Sequence, residues 1–178
     1  MNAVDIRDGR ADDIPVITTI YADAVRHGTA SWELEPPSQG EMQRRFEALI
    51  ADGYPYLVAH RGPDILGYAY AGAYRPRPAY RHTVEDSIYL TRHAQGLGLG
   101  RALMAALIAA CEARGFRQIV AVIGDGNGAS EASRRLHEQA GFQLIGIARS
   151  VGYKHGRWLD QMLMQKELGD GNRTPPQA

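Results

Sequence analysis

The sequence predicts a single mixed α/β domain whose elements run β-α-α-β-β-β-α-β-α-β-β. Three observations carry the prediction. The chain has 178 residues, enough for one buried core and short for two. Apolar residues recur at spacings of three and four in some segments and alternate with polar residues in others, the signatures of half-buried helix and strand. A strand, a glycine-rich loop, a helix and a second strand follow one another at mid-chain, an arrangement that pairs the two strands in parallel.

Val4 and Ile6 alternate with polar neighbours as a short first strand. Asp12 or Asp13 then caps a helix with Pro15 in its first turn, and Ile14, Ile17, Tyr21 and Ala24 share its inner face. The stretch GTASWELEPP reads as a loop. Ser38 and Glu41 have capping-box spacing, so a second helix runs to the Asp52-Gly53 stop with Met42, Phe46 and Leu49 inward. Residues 56–60 and 65–73, joined by Arg61-Gly62-Pro63-Asp64, form an antiparallel hairpin. Residues 74–82, with their prolines and arginines, read as a surface loop before a fourth strand over 83–91, which residues 95–100 break. A helix over 99–114 buries Leu103, Leu107, Ala110 and Cys111 and stops at Gly115. Residues 117–123 return as strand and 131–140 as helix. The last two strands, 142–151 and 158–168, flank the turn Lys154-His155-Gly156, and the polar tail 169–178 reads as disordered.

Composition narrows the function. Lys plus Arg and Asp plus Glu number 20 each, so no basic excess draws the chain to nucleic acid or anionic lipid, and a small-molecule partner is expected. The lone Cys111 can make no disulfide within the chain, the N-terminus is polar, and no apolar run approaches about 18 residues; a cytoplasmic location follows as an expectation. His27, His60, His82, His93 and His155 are scattered without metal-ligand spacing, so no metal is expected. Cys111 falls on a buried helix stripe and reads as a core residue rather than a nucleophile.

The segment Gln95-Gly96-Leu97-Gly98-Leu99-Gly100-Arg101 enters a helix, where backbone N–H groups and the positive helix end can hold a phosphate. A ligand-free strand-to-helix turn is the equal alternative on the glycines alone. A dinucleotide loop would need a further glycine at Arg101 or Leu103, and a P-loop would need a Gly-Lys pair that is absent. What remains, Q-x-x-G-x-G, resembles the pyrophosphate loop of the GNAT superfamily of N-acetyltransferases. The stretches TVEDSIYL (83–90), LHEQAGF (136–142) and VGYKHGRWLD (151–160) are similar to the phosphinothricin acetyltransferase branch, so the likeness covers roughly residues 4–168.

That resemblance implies a central sheet of about seven strands with helices on both faces, and a fourth strand splayed from the fifth at a bulge. Acetyl-CoA would be the cosubstrate, its phosphates on residues 95–101 and its pantetheine paired along Ile88, Tyr89 and Leu90. Branch members acetylate the α-amino group of phosphinothricin, methionine sulfoximine or methionine sulfone, and are usually homodimers. An amine attacks a thioester only as the free base, so a proton acceptor is required, and the resemblance gives that role to Glu85. It places an oxyanion donor at the Leu90 N–H. His137 stands where most of the superfamily has tyrosine; proton transfer and a surface or capping role are both open. The motif N-x-x-S-x-x-L-H reads here with Ser130 in the asparagine's register and Ser133 in the serine's, while Asn127 lies three residues early, so the CoA contact falls to either Asn127 or Ser130. Arg75, Arg77, Tyr80 and Trp32 match the branch's acceptor pocket, Tyr89 points toward it by strand register, and the guanidinium groups suit an anionic acceptor. The rivals are a cationic amine, which these arginines would repel, a protein N-terminus, which would need an open groove, and a non-catalytic acyl-CoA-binding module, which would have no need of Glu85.

Overall fold

The computed structural model describes residues 4–124 and 129–176. Strands β1 (Asp5–Asp8), β2 (Tyr56–Arg61), β3 (Asp64–Ala73), β4 (Thr83–Leu90), β5 (Gln118–Gly124), β6 (Gln143–Lys154) and β7 (Arg157–Glu167) form one sheet in the order β1-β2-β3-β4-β5-β7-β6. Helices α1 (Ile14–His27), α2 (Gln39–Ala51), α3 (Leu99–Ala113) and α4 (Ala129–Gln139) connect them. The strand neighbours are antiparallel except β4 and β5, which run parallel on either side of α3.

Alternation along each strand divides the side chains between two cores. On one face Val84, Ile119 and Ala121 pack under Leu103, Leu107 and Cys111 of α3, with Leu136 of α4 alongside. On the other, Tyr56, Tyr68 and Tyr89 pack under Ile14, Ile17 and Tyr21 of α1 and Met42 and Phe46 of α2. The sheet is therefore covered on both sides.

The caps differ in detail from expectation. Asp13 occupies the N-cap position of α1, but its carboxylate turns back to accept the Arg7 guanidinium fork at 2.7 and 2.8 Å and the Arg10 N–H at 2.8 Å. Ser38 does cap α2, its Oγ accepting from the Glu41 N–H at 3.2 Å, while the Glu41 carboxylate goes forward to Arg44 and Arg45. The last hairpin is tighter than expected. His155 and Gly156 alone make the turn, both at positive φ (53° and 74°), so Lys154 ends β6 as a buried strand residue. Beyond β7, Arg117 donates to the Gly171 and Pro175 carbonyls and to Thr174 Oγ1 at 2.9–3.2 Å.

The feature that positions the site is the gap between β4 and β5. Their pairing stops after Thr83↔Gln118, Val84↔Ile119 and Glu85↔Val120, although both strands continue. The expected bulge is absent from β4's pairing with β3, whose register runs unbroken from Ala73↔Val84 to Gly67↔Leu90. β5 meanwhile stays paired with β7 as far as Gly124↔Gln161. Each strand follows its outer neighbour, and the sheet's twist opens the gap without an inserted residue.

Candidate active site

Backbone direction decides what the gap offers. The Thr91 N–H donates across to Leu66 O at 2.9 Å on the β3 side. Because successive strand residues alternate, the N–H groups of Leu90 and Ile88 point the other way, into the gap. Tyr89, between them, faces β3 and the α1 core. Its ring is buried edge-on to Tyr21 at 5.0 Å, so its side chain is a wall of that core.

At the end of the gap the chain turns into α3. Gly96 and Gly98 hold φ of 76° and 80°, a left-handed conformation that strains any other residue, and a Cβ at either would meet no atom within 4 Å. The Ala102 N–H makes the helix's first bond, to Gly98 O at 3.2 Å, leaving the N–H groups of Leu99, Gly100 and Arg101 ahead of it. Gln95 and Leu97 are exposed on the loop, and Leu99 turns inward as an anchor. Gly100 lies against Leu136, and the Arg101 guanidinium donates to Gln139 Oε1 at 2.8 Å, so α3 is tied to α4 beside the open loop. An open, cationic loop of N–H groups next to an unpaired strand edge fits a phosphorylated ligand with an amide-bearing arm.

Glu85 sits where β4 leaves β5. It is half-buried, and burial together with the neighbouring Asp86 charge pushes its carboxyl up to about 7, against the opposing pull of Arg75. Its face also carries Ser87, Tyr89 and, across on β3, Tyr70, a phenol that feels the Glu85 charge. The Arg75 guanidinium lies 5.1 Å from the centre of the Tyr74 ring, which meets Tyr80 edge-on at 5.9 Å. Arg75 and Arg77 make no ion pair among the described residues. Arg77 and Tyr80 are exposed on the same loop.

Trp32 is fixed less by its own loop than by the last hairpin. Its ring lies on Gly152, where any Cβ would strike it, and its buried Nε1 has no partner among the described residues. Buried Lys154 donates from Nζ to Ser31 O at 2.7 Å, and His155 Nε2 lies 3.1 Å from Gly28 O. Ser31 and Glu33 in turn meet the Tyr21 hydroxyl at 2.8 and 3.1 Å. Gly124, at the end of β5, abuts the Thr29 carbonyl so closely that a side chain would not fit. The loop between α1 and α2 is thereby pinned over the end of the gap.

His137 lies on the opposite face of the sheet from Glu85. It is buried, with Nδ1 2.7 Å from Ser133 O and Nε2 3.0 Å from Asp86 Oδ2. A carbonyl can only accept, so Nδ1 carries a proton and Nε2 faces the carboxylate. Burial pulls the His137 pKa down, but the Asp86 hydrogen bond and charge outweigh it and leave it raised. Asp86 Oδ1 is buried without a partner among the described residues. His137 therefore joins α4 to β4 through Asp86 and is neither a surface nor a capping residue. Ser133 serves that histidine through its carbonyl, Ser130 lies half-buried in the first turn of α4, and Asn127 lies outside the described residues.

The family model described as an acetyltransferase (GNAT) domain matches residues 6–163. The chain belongs to the GNAT superfamily. It is 49% identical over 175 residues to a phosphinothricin N-acetyltransferase of Alcaligenes faecalis, covering 98% of this chain and 88% of that one. It is 42% identical over 172 residues to an L-methionine sulfoximine/L-methionine sulfone acetyltransferase of Pseudomonas paraeruginosa, covering 96% and 98%. The crystal structure of a phosphinothricin acetyltransferase from Sinorhizobium meliloti in complex with acetyl-CoA superimposes with a TM-score of 0.93 at 47% identity, over 98% of this chain and 93% of that one.

Within this GNAT fold, sequence reasoning missed five contributors: Asp86, Lys154 and the tyrosines Tyr21, Tyr68 and Tyr70. Asp86 carried a signal, since a carboxylate between Glu85 and Ser87 must point to the helix face opposite Glu85. Lys154 carried none, being a polar residue beside a turn.

Proposed function

We propose that this GNAT enzyme transfers the acetyl group of acetyl-CoA directly to the α-amino group of a small anionic amino acid of the phosphinothricin, methionine sulfoximine or methionine sulfone type. The observation that carries the reading is Glu85, a carboxyl held at about 7 where β4 parts from β5, with Arg75 beside it. A base with that pKa is ionised enough at neutral pH to act and basic enough to take a proton from an ammonium. The names of the relatives support the acceptor class, and Arg75 and Arg77, which make no ion pair among the described residues, support it against cationic acceptors.

Bound acetyl-CoA supplies the thioester. Residues 96–101 would hold its phosphates through their N–H groups, and the Ile88 N–H with the Ile88 and Leu90 carbonyls would pair with its amides. Glu85 receives the proton of the acceptor's ammonium. The Leu90 N–H, fixed by the β3 ladder, donates to the oxygen that gains charge as the amine adds, a contribution of about 3–4 kcal/mol in comparable sites. Cys111 takes no part, because burial pushes its thiol up to about 12. Transfer is therefore direct, without an acetyl-cysteine: as the C–N bond forms the thioester C–S bond breaks, and CoA leaves as a thiolate that takes up the second proton of the attacking nitrogen.

The enzyme's setting follows from other features. Among the described residues no helix is long and apolar enough to cross a membrane. With a single buried cysteine, a cytoplasmic location suits the chain. The exposed apolar face of β6 and β7 suits a second copy of it.

Free-CoA release, measured with methionine sulfone, methionine sulfoximine, phosphinothricin and spermidine, tests the reading. Turnover of the amino acids is expected, with Glu85→Gln at least about 100-fold slower. Turnover of spermidine alone would overturn it.

A further inference from the structure

The gap between β4 and β5 has a closed end as well as an open one, and Glu85 stands at the boundary. The two strands pair over Thr83↔Gln118, Val84↔Ile119 and Glu85↔Val120, so the last rung before the gap holds Glu85 itself. Paired residues on neighbouring strands point to the same face, which sets the buried, apolar Val120 beside Glu85 on its β5 side. Outside these rungs each strand has its own partner, β3 for β4 and β7 for β5. What the β4/β5 rungs decide is how far the gap runs toward Glu85, and so how much water meets its carboxyl.

The residue before the first rung is Arg117. Its N–H donates to His82 O at 2.8 Å, at the start of β4, and its carbonyl accepts the Leu168 N–H at 3.0 Å, just past the end of β7. Its guanidinium lies on a side chain only 16% exposed; it donates to Gly171 O, Thr174 Oγ1 and Pro175 O and stands 3.9 Å from the Asp170 carboxylate. A guanidinium has five donors, and so largely buried a one needs acceptors from the protein. The chain beyond β7 is shaped to supply them. Leu168 is fully buried in the α3 core, Glu112 of α3 accepts the Gly169 N–H at 3.1 Å, and the Gly171 N–H returns to Leu168 O at 2.8 Å. Gly169 and Gly171, at φ 52° and 55°, make that reversal. One side chain thereby ties the starts of β4 and β5 to the segment after β7.

We infer that Arg117 and residues 169–175 form a clasp that fixes where the gap between β4 and β5 ends, and that through Val120 the clasp keeps water from Glu85. Arg117 is a positioning residue, acting through the strand rather than on the reacting atoms. The inference rests on Glu85 as the base, and it has a readout of its own. Burial is the largest cause raising the Glu85 carboxyl, so water admitted by a loosened clasp returns it toward the ordinary carboxylate range. The other groups that act with it, Asp86 on its own strand, Arg75 on the loop before β4 and Tyr70 across on β3, are untouched by changes at the clasp.

The test is the pH profile of kcat/KM for methionine sulfone in wild type, in Arg117→Met and in a chain ending at Asp170, with melting temperature as the check on folding. Methionine has a similar reach and donates nothing. The shortened chain removes the acceptors and keeps the Arg117 charge, so a shift common to both is no charge effect. In both, the rising limb should move to lower pH, giving activity at pH 6, scaled to each plateau, about threefold above wild type. The two changes combined should go no further than either alone. A role confined to stability would lower the melting temperature and leave the limb in place, and that outcome overturns the clasp. So does a limb that moves in Arg117→Met but not in the shortened chain. Where either change prevents folding, Thr174→Val, which removes one acceptor at an exposed residue, should move the limb the same way by less, and an unmoved limb there overturns the clasp equally. A wild-type profile flat through pH 7 would instead overturn the Glu85 reading beneath it.

Discussion

Glu85 and Asp86 are adjacent in sequence and opposed in space, because neighbouring strand residues point to opposite faces. One faces the acceptor side and the other is locked to His137, yet their charges still interact. Burial and the Asp86 charge both hold the proton on Glu85 more tightly than in a free carboxyl. As a base, Glu85 works only when ionised, so kcat/KM should rise as pH climbs through about 7 and level above it, and Glu85→Gln should lose that limb. Asp86→Asn removes the negative neighbour, and a carboxamide can still donate to His137 Nε2. The limb should then move to lower pH, with activity at pH 6 several-fold above wild type when each is scaled to its own plateau. A limb that stays in place would mean that burial alone sets the Glu85 value. Legibility at this scale was uneven. Glu85 could be placed because its strand and motif were both readable, whereas the partner of His137 could not, since periodicity shows that a residue alternates but not which helix it meets.

Elements are legible where a local rule marks their ends: the Ser38 cap, the Gly115 stop, the glycines before α3. They are not legible where a distant contact overrides the local signal, as at Lys154, whose ammonium bonds the Ser31 carbonyl on the loop between α1 and α2. The same distinction bears on the phosphate loop. Its conformation is written in Gly98, at φ 80° with open space where a Cβ would stand, so an added methyl strains the backbone without touching a neighbour. Left-handed strain of about 1–2 kcal/mol should raise the KM for acetyl-CoA about tenfold in Gly98→Ala, and leave the acceptor KM much less affected. Gly40→Ala, in the exposed first turn of α2 at ordinary φ, is the control and should change neither. Equal rises in both constants would instead indicate a general loosening of α3.

Over the whole molecule, the strand order could not be read from the sequence, because nothing local states that β7 inserts between β5 and β6. That insertion has two consequences. It draws β5 away from β4 to open the gap, and it leaves β6 at the sheet's edge with apolar side chains in solvent. Leu144, Ile145, Val151, Tyr153 and Trp158 are 52–64% exposed. Long apolar edge strands are normally shielded from unwanted pairing, and a patch of this kind marks an interaction surface. A second copy of the chain is the partner we propose, since a two-fold axis covers the same patch on both copies at once. The same hairpin carries Gly152 and Lys154, which seat Trp32 and Ser31, so association would also stiffen the loop over the gap. Light scattering should give a mass near twice the 19.5 kDa of one chain. Trp158→Lys, which replaces the most exposed ring of the patch with a charge, should move that mass toward one chain at micromolar concentration and raise the acceptor KM in parallel. A wild-type chain that is monomeric throughout that range would leave β6 without the proposed partner. A monomeric Trp158→Lys with unchanged acceptor KM would separate the interface from the site.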